Sequence, residues 1–259
     1  MQLFTLWPKQ LIAFDIIFGL GEFVPDDEAL GLQVLFGGAA GGAKSSLARI
    51  ASASAAFLWP GSDVAVFRRT DAELEADHIE KWLEDIDPFV VGGRFFTQKK
   101  EYHWPSPGWC WCPKPNPCPH SSKTLFKHID DARGVRKHQG AEHAMQIVDE
   151  GGHFKGTDID YLYTRVRAPE SKTQPAQITG PDGKVYEYPG WQNWQRVQLI
   201  TANPGDIGHQ YMLDTYIDPA EGLNRGETED IKEIIDGPHQ LTVDGRTEWA
   251  EEVTDLKGE

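Results

Sequence analysis

A loop rich in glycine and alanine lies between an apolar run and a helix-like segment near the amino terminus. The apolar run is residues 32–36, the loop is residues 38–45, and the helix-like segment is residues 47–51. In such a loop backbone N–H groups approach phosphate oxygens, a lysine reaches the β- and γ-phosphates, and a hydroxyl ligates Mg²⁺. Lys44 and Ser45 fill the last two roles. The pattern therefore predicts a site for ATP with Mg²⁺.

The predicted nucleotide contacts of this loop form one continuous run. They are Gly38, Ala39, Ala40, Gly41, Gly42, Ala43, Lys44, Ser45 and Ser46. Ala43 stands where the pattern G-x-x-x-x-G-K-[ST] has its second glycine. Because alanine disfavours positive φ, we expect the loop to avoid that conformation at Ala43. The alternative interpretation of the run is a glycine-rich turn that leads into a helix.

Two carboxylates, Asp149 and Glu150, follow the apolar residues 145–148. Ligands of open α/β sheets bind at the carboxyl ends of the strands, which is where this pair would lie. Asp149 would hold Mg²⁺, and Glu150 would orient and polarise the water that attacks the γ-phosphate. Because transfer to another substrate needs no second carboxylate, the pair favours hydrolysis over kinase chemistry. Glu150 and Lys44 are therefore predicted as catalytic residues.

Three further polar residues are candidates for the same site. Thr201 and Asn203 follow an apolar run and would hydrogen-bond the γ-phosphate or the lytic water, with Asn203 catalytic. The alternative is a plain turn at Asn203 and Pro204. Gln10 has an amide that can donate to and accept from the edge of adenine, and its alternative is a surface residue.

Short β-branched runs alternate with helical segments along the chain. Buried parallel strands are predicted at residues 34–36, 64–67, 145–148 and 197–201, and helices at residues 44–58 and 71–86 with Asp71 as N-cap. This alternation predicts a three-layer α/β fold with a mostly parallel central sheet. Residues 94–126 interrupt the rhythm with alternating and then Cys- and Pro-rich sequence, so we expect an insertion on the sheet there.

Composition restricts the class of protein. The chain has 259 residues with 39% hydrophobic and 25% charged residues, which is ordinary for a globular protein. No stretch approaches the ~18 consecutive apolar residues of a membrane span, and no signal peptide is recognised. Residues 218–259 carry 13 acidic and 4 basic residues of a chain with net charge −15. We expect one domain over residues 1–217 and an acidic linker or small subdomain after it.

Three cysteines and a histidine lie close together in the predicted insertion. Cys110, Cys112, Cys118 and His120 would complete a tetrahedral shell around a structural Zn²⁺. Because C-x-C spacing is less diagnostic than paired C-x₂-C knuckles, free buried thiols are an equal alternative. Three cysteines do not form an even disulfide framework, which favours a reducing compartment and a cytoplasmic location.

The ordered motifs resemble the large terminase subunit of tailed bacteriophages, the ATPase that drives double-stranded DNA into a procapsid. The resemblance rests on residues 8–10, 37–45, 66–70, 147–150, 201–204 and 208–211 in that order. It implies a RecA-like P-loop ATPase fold, an adenine contact at Gln10, a nucleotide contact at Arg69 and a coupling role for Thr201. The family often has an arginine where this chain has Ala40, so the resemblance supplies no phosphate-sensing arginine there.

The resemblance also implies partners for the chain. These are double-stranded DNA, further copies of the chain in a ring on a portal, and the small terminase subunit, in the cytoplasm of the host and without a membrane. Related motors reach into the neighbouring subunit with an arginine, for which we predict Arg136 or Arg133, while a DNA-facing or solvated cation is the alternative. The family's nuclease domain does not fit into residues 218–259, so we expect no nuclease activity.

Two other classes of function remain alternatives. A helicase or translocase of superfamily 2 needs a second RecA-like domain with its own arginine motif, for which this chain has little room after Asn203. A nucleotide-gated DNA-binding or scaffold protein would bind ATP with negligible turnover. Ala43 and Ala40 make slow turnover of the isolated chain compatible with either an ATPase or such a scaffold, so stimulation by DNA or by assembly is the discriminating observation.

Overall fold

A seven-stranded sheet in the order β1-β9-β6-β2-β5-β4-β3 organises the molecule. The strands are β1 Leu32–Gly37, β2 Asp63–Arg68, β3 Arg94–Phe96, β4 Glu101–His103, β5 Lys123–His128, β6 Met145–Val148 and β9 Val197–Ala202. The five strands from β1 to β5 in this order pair in parallel, and β4 and β3 continue the sheet antiparallel. The predicted mixed α/β fold with a mostly parallel sheet is confirmed.

The structure is a computed structural model, and it describes the chain with gaps. The described residues are 6–19, 31–37, 43–107, 120–180, 183–191, 193–203, 205–217, 239–243 and 246–250. Predictions for residues 38–42, for the three cysteines and for Pro204 lie outside them.

Helices cover both faces of the sheet. They are α1 Pro8–Phe18, α2 Lys44–Leu58, α3 Asp71–Leu74, α4 Lys81–Asp85, α5 Ala132–Arg136, α6 Gly156–Tyr163, α7 Glu170–Thr173 and α8 His209–Met212. One face buries a core with Trp59, Trp82 and Tyr102, and the other buries a core with Phe67 and Phe154. Two cores on opposite faces of one sheet give the three layers that the alternation of strands and helices predicts. None of the described helices has the length and apolar character needed to cross a bilayer.

The helix α2 forms from a segment whose small residues allow close packing on the sheet. Leu47, Ala48, Ala51 and Ala55 are fully buried, and their spacing places them on one side of the helix. The helix ends at Leu58 before Trp59, as predicted. Since alanine is the strongest helix former, the sequence itself favours this helix directly behind the predicted phosphate loop.

The predicted helix over residues 71–86 differs from the observed structure in two ways. Its N-cap is Thr70, whose hydroxyl accepts a hydrogen bond from Glu73 N at 3.3 Å, so the assignment of Asp71 as N-cap was wrong by one residue. Between α3 and α4 the chain adopts a π-helical segment over Glu75–Glu80. Segments of this kind are rare and often occur at functional sites.

The segment over residues 94–126 differs from the expected insertion. Its beginning forms the antiparallel strands β3 and β4, and its end forms most of β5, which pairs in parallel with β2. The prediction missed β5 because the basic residues at both ends of that strand hide its short apolar centre.

Two short strand pairs lie outside the central sheet. The strands β7 Ala176–Thr179 and β8 Val185–Tyr188 pair antiparallel. In the acidic carboxyl-terminal region β10 His239–Val243 and β11 Arg246–Ala250 also pair antiparallel, where we expected a linker or a small subdomain.

Three glutamines cross the central strands in one row. Gln33 Nε2 donates to Gln198 Oε1 at 2.8 Å, and Gln198 Nε2 donates to Gln146 Oε1 at 3.2 Å. Because a shift of one residue would turn each side chain to the opposite face, the row favours the observed register of β1, β9 and β6. This register aligns the carboxyl ends of the strands.

Candidate nucleotide-binding site

The carboxyl end of β6 is the centre of the site. Asp149 directly follows β6, and its side chain is buried. Its Oδ2 accepts hydrogen bonds from Arg68 at 2.6 Å and from His78 Nε2 at 2.8 Å. Ser45 Oγ donates to the same oxygen at 3.2 Å, and Thr201 Oγ1 donates to Oδ1. Four side chains from four different parts of the chain therefore hold one carboxylate.

These contacts determine the charge of Asp149. Burial alone would raise the pKa of Asp149, but its hydrogen bond to and attraction by His78, with further contributions from Thr201 and Arg68, hold the pKa below the ordinary range of a carboxyl group. Asp149 is therefore ionised at neutral pH. An ionised carboxylate beside the hydroxyl of Ser45 is a donor set that suits Mg²⁺, which prefers oxygen ligands.

Glu150 takes an unusual backbone conformation beside Asp149. Its φ of 53° and ψ of 52° lie in the left-handed region, which is rare for residues other than glycine and recurs at functional sites. The backbone N–H of Glu150 donates to Thr201 Oγ1 at 3.2 Å. Its carboxylate is 2.9 Å from Arg68 and 3.3 Å from His153, with 27% of the side chain exposed. The carboxylate is thus held at the edge of the sheet and remains accessible to a water molecule.

Lys44 and Ser45 begin α2 and face the same carboxylates. Burial lowers the pKa of the Lys44 ammonium, while attraction by Asp149 and Glu150 opposes that shift. The amine, the hydroxyl and the two carboxylates therefore converge at one edge of the sheet. This convergence is the geometry that the spacing of the two sequence motifs requires.

Ala43 departs from the sequence-based expectation. Its φ is 51° and its ψ is 31°, so the expectation that the loop avoids positive φ at this alanine was wrong. Gln10 Nε2 donates a hydrogen bond to the carbonyl of Ala43 at 2.8 Å, and Gln10 Oε1 accepts one from Trp7 N at 2.8 Å. The buried amide of Gln10 therefore fixes the residue directly before Lys44. Its predicted contact with adenine stays a prediction.

Two residues of the site were not predicted as ligands or catalysts from the sequence. Arg68 ends β2, and because Phe67 pairs with Val148, Arg68 lies alongside Asp149 on the neighbouring strand. His78 reaches Asp149 from the π-helical segment. A charged residue at the end of an otherwise buried strand was the available signal for Arg68, whereas nothing in the sequence pattern pointed to His78.

The remaining predicted residues lie farther from this centre or contact other groups. Arg69 donates to the carbonyl of Ile129 at 3.0 Å, so in this structure the neighbouring Arg68 occupies the site instead. Ser46 accepts a hydrogen bond from Arg49 at 3.4 Å. Asn203 lies beyond β9, and within the described part of the chain its buried Oδ1 has no hydrogen-bond partner. The predicted role of each of these residues stays a prediction.

The predicted trans-acting arginines and the predicted zinc ligands are only partly described. Arg136 ends the short helix α5, and both it and Arg133 are exposed. Of the four predicted zinc ligands only His120 belongs to the described residues, and burial lowers its pKa. The Zn²⁺ prediction therefore stays a prediction.

A second group of potential metal ligands lies next to the site. One ligand atom each from Glu73, Glu150 and His153 lies within 4.8 Å of the others. The guanidinium of Arg68 is 2.9 Å from Glu150 and 4.0 Å from Glu73, and it supplies positive charge to this position. His153 Nε2 also lies 3.1 Å from a carboxylate oxygen of Asp206.

The strand order and the position of the site are those of a RecA-like α/β fold. The strand before the predicted phosphate loop, β1, and the strand before Asp149, β6, are separated by β9, and the carboxyl ends of all three strands meet at the site.

Solved structures with a similar fold are large terminases. The large terminase from a thermophilic bacteriophage matches with a TM-score of 0.54 and 12% identity over 85% of this chain and 44% of its own length. The same terminase in complex with ATP-γ-S matches with a TM-score of 0.53 and 11% identity over 85% of this chain and 43% of that chain. The same terminase in complex with ADP matches with a TM-score of 0.52 and 10% identity over 88% of this chain and 50% of that chain.

These comparisons confirm the resemblance to large terminases at the level of the fold. This chain spans about half of the length of the terminase structures that it matches, or less. No protein-family model and no curated protein matches the sequence. The function of the chain therefore has to be argued from its own site.

Proposed function

We propose that this chain is the ATP-hydrolysing motor domain of a viral DNA packaging terminase. The observation that carries the proposal is the convergence of Ser45 Oγ on Asp149 Oδ2 at 3.2 Å with Glu150 as the next residue. A hydroxyl from the start of a helix, a buried carboxylate and a partly exposed second carboxylate are three of the parts that hydrolysis of a nucleoside triphosphate needs. The terminase of the thermophilic bacteriophage, which shares the fold, was solved with ATP-γ-S and with ADP.

Each residue has a separate part in the proposed reaction. Lys44 contacts the β- and γ-phosphates, and its position at the first turn of α2 adds the backbone N–H groups of the helix start. Ser45 and Asp149 would hold Mg²⁺, which neutralises charge on the phosphates when bound. Glu150 accepts a proton from water as the water oxygen bonds to the γ-phosphorus, and the bond from that phosphorus to the bridging oxygen breaks to leave ADP and phosphate.

DNA translocation is a further part of the proposal, and a basic groove supports it. The groove has a volume of about 760 Å³ beside the carboxyl end of β5. Its lining has five cationic side chains and three aspartates, namely Lys99, Lys100, Lys127, Arg133 and Lys137 against Asp71, Asp130 and Asp131. In a chain with net charge −15 such a local cluster suits contact with phosphate groups. A ring of subunits, with Arg136 or Arg133 reaching the neighbouring nucleotide, remains our prediction for the assembled motor. Binding to a portal and to the small terminase subunit remains part of this proposal.

One observation favours a second candidate, the nucleotide-gated DNA-binding protein with negligible turnover. Arg68 lies 2.9 Å from Glu150 and so competes with a water molecule for the catalytic carboxylate. Addition of DNA decides between the candidates, because a motor increases its hydrolysis rate on DNA and a gated binder changes only its affinity.

The test compares nucleotide binding and hydrolysis in three variants. We expect Glu150→Gln to keep affinity for MgATP within about threefold and to lower the hydrolysis rate by about 10² or more, because it removes the proton acceptor. Lys44→Ala is expected to lose both binding and hydrolysis. Glu142→Gln, an exposed change just before β6 at the opposite edge of the sheet, is the matched control. Wild-type protein without hydrolysis, even on double-stranded DNA, would contradict the motor.

A further inference from the structure

We infer that Arg68 is the residue with which this site distinguishes a nucleoside triphosphate from a diphosphate, by direct contact with the γ-phosphate. The inference rests on the proposed function. Large terminases often have a phosphate-sensing arginine in the phosphate loop, where this chain has Ala40. The inference gives that role to Arg68 on β2 instead.

The first support is where Arg68 lies. It ends β2 on the strand next to β6, and only 5% of its side chain is exposed. Its NH1 is 2.6 Å from Asp149, and its NH2 is 2.9 Å from Glu150. The guanidinium therefore bridges the proposed ligand of Mg²⁺ and the proposed acceptor of the water proton. A γ-phosphate that reacts with water held by Glu150 must come within reach of this group.

The second support is the excess of negative charge around Arg68. Besides Asp149 and Glu150, its NH2 is 3.0 Å from Asp77 and its Nε is 4.0 Å from Glu73. A single guanidinium thus faces four carboxylates. Buried charges persist only when they are paired, so Arg68 neutralises this cluster in the structure. When a divalent cation binds between Ser45 and Asp149, it takes over part of that role.

The third support is the bonding capacity of the guanidinium. Its Nε is buried and has no hydrogen-bond partner within the described ranges. Its NH2 is shared between Asp77 and Glu150, so neither bond fixes it alone. Phosphate oxygens accept two parallel N–H bonds from one arginine, which is a better match than the divided contacts of Arg68. Exchange of Glu150 for phosphate would also release the carboxylate to hold water.

The experiment measures the affinity of the chain for ATP-γ-S and for ADP, both with Mg²⁺. For Arg68→Ala we expect affinity for ATP-γ-S to fall by roughly 10- to 100-fold, which matches the loss of charge-assisted hydrogen bonds, while affinity for ADP changes less than about threefold. Arg68→Lys keeps the positive charge but lacks the planar guanidinium. We expect its affinity for ATP-γ-S to lie between those of the wild type and of Arg68→Ala. Arg94→Ala is the matched control, because that exposed arginine lies on β3 at the far edge of the sheet and has no predicted role in the site.

Each outcome of this experiment has a defined meaning. If Arg68→Ala weakens the binding of ATP-γ-S and ADP equally, or weakens the binding of neither, Arg68 is only a structural counterion and the inference is wrong. Circular dichroism and thermal unfolding check the fold, and if Arg68→Ala does not fold, the ratio measured for Arg68→Lys decides in the same way. If wild-type protein binds neither nucleotide, the proposed function itself fails. A normal wild-type preference with an unchanged ratio in the variants overturns the inference alone.

Discussion

The two edges of the central sheet treat their polar side chains in opposite ways. At the carboxyl edge Asp149 is buried and accepts hydrogen bonds from four side chains. At the amino edge Asp63 and Lys123 begin neighbouring strands, lie 3.7 Å apart, and keep more than a third of each side chain exposed. Their edge opens into a cavity of about 600 Å³. The polar side chains around Asp149 therefore form a buried hydrogen-bond network, whereas Asp63 and Lys123 form a partly exposed ion pair.

The difference indicates where the chain depends on accurate geometry. Buried polar networks are costly when one partner is missing, so they restrict the structure more than exposed ion pairs do. At the amino edge burial raises the pKa of Asp63 while Lys123 and Lys172 oppose the shift, and solvent can replace either lysine. The left-handed backbone of Ala43 and Glu150 adds local strain at the carboxyl edge, which the network has to hold in place.

The sharpest test of this comparison removes one hydroxyl from each edge. Thr201 Oγ1 donates to Asp149 and accepts from Glu150 N, so Thr201→Val leaves two groups without their partner. We expect a loss of about 2 to 3 kcal/mol in the free energy of unfolding, measured with urea. At the amino edge Ser62 is equally buried, but its Oγ has no partner among the described residues. Ser62→Ala is therefore expected to change stability by less than about 0.5 kcal/mol.

The variant Thr201→Ser checks the cause of this effect. It keeps the hydroxyl and loses only a methyl group, so it should retain most of the stability that Thr201→Val loses. If Thr201→Val and Ser62→Ala behaved alike, the contrast between the two edges would have no energetic meaning.

A second test uses a buried histidine that lacks the partners of Asp149. His143 lies two residues before β6, and within the described chain neither ring nitrogen has a hydrogen-bond partner. Burial lowers the pKa of His143 from 6.5 to about 3, with smaller effects of His138 and Lys127. Between these values the unfolded chain binds more protons than the folded chain, so stability is present above pH 6.5 and falls as the pH decreases.

We expect His143 to cost the protein about 2 kcal/mol of stability between about pH 7 and about pH 5. His143→Phe, which keeps a ring beside Phe67, should remove this part of the pH dependence in urea titrations at the two pH values. The pKa of Asp149 is depressed instead, so its contribution is present above the ordinary pKa of a carboxyl group and is lost as the pH falls from there through the depressed pKa. If the free energy of unfolding changed equally in the variant and the wild type between the two pH values, His143 would not titrate in that range.

The sequence predicted the parts of the molecule in which local pattern and burial agree. The four apolar runs became β1, β2, β6 and β9. The strands β2, β6 and β9 lie in the buried centre of the sheet, whereas β1 is its half-buried edge strand. Lys44, Ser45, Asp149 and Glu150 converge because parallel strands present their carboxyl ends at one edge. The predicted helix over residues 44–58 agrees with α2 for a local reason, since alanine at these positions favours helix without tertiary support.

The sequence did not predict features that depend on strand neighbours. Arg68 reaches the site only because β2 pairs with β6, and strand order is not encoded in spacing along the chain. His78 faces Asp149 because the helix after Thr70 widens into a π-helical segment, for which no residue pattern is diagnostic. We expected Ala43 to avoid positive φ because its Cβ disfavours that conformation. The hydrogen bond from Gln10 Nε2 to the carbonyl of Ala43 offsets this cost, and the sequence did not predict that hydrogen bond.

The smallest expected effect concerns the helix α1, which has a glutamine bound at each of its ends. Gln10 in its first turn holds the carbonyl of Ala43 beside Lys44, and Gln195 holds the carbonyls of Ile16 and Ile17 at its last turn. Both changes to alanine remove hydrogen bonds to the backbone. We expect each to reduce stability by about 1 kcal/mol, but only Gln10→Ala to weaken nucleotide binding, by roughly fivefold and equally for ATP-γ-S and ADP. Calorimetric titration of both variants measures this, and an equal loss of affinity in Gln195→Ala would mean that the whole helix, rather than its contact with the phosphate loop, supports binding.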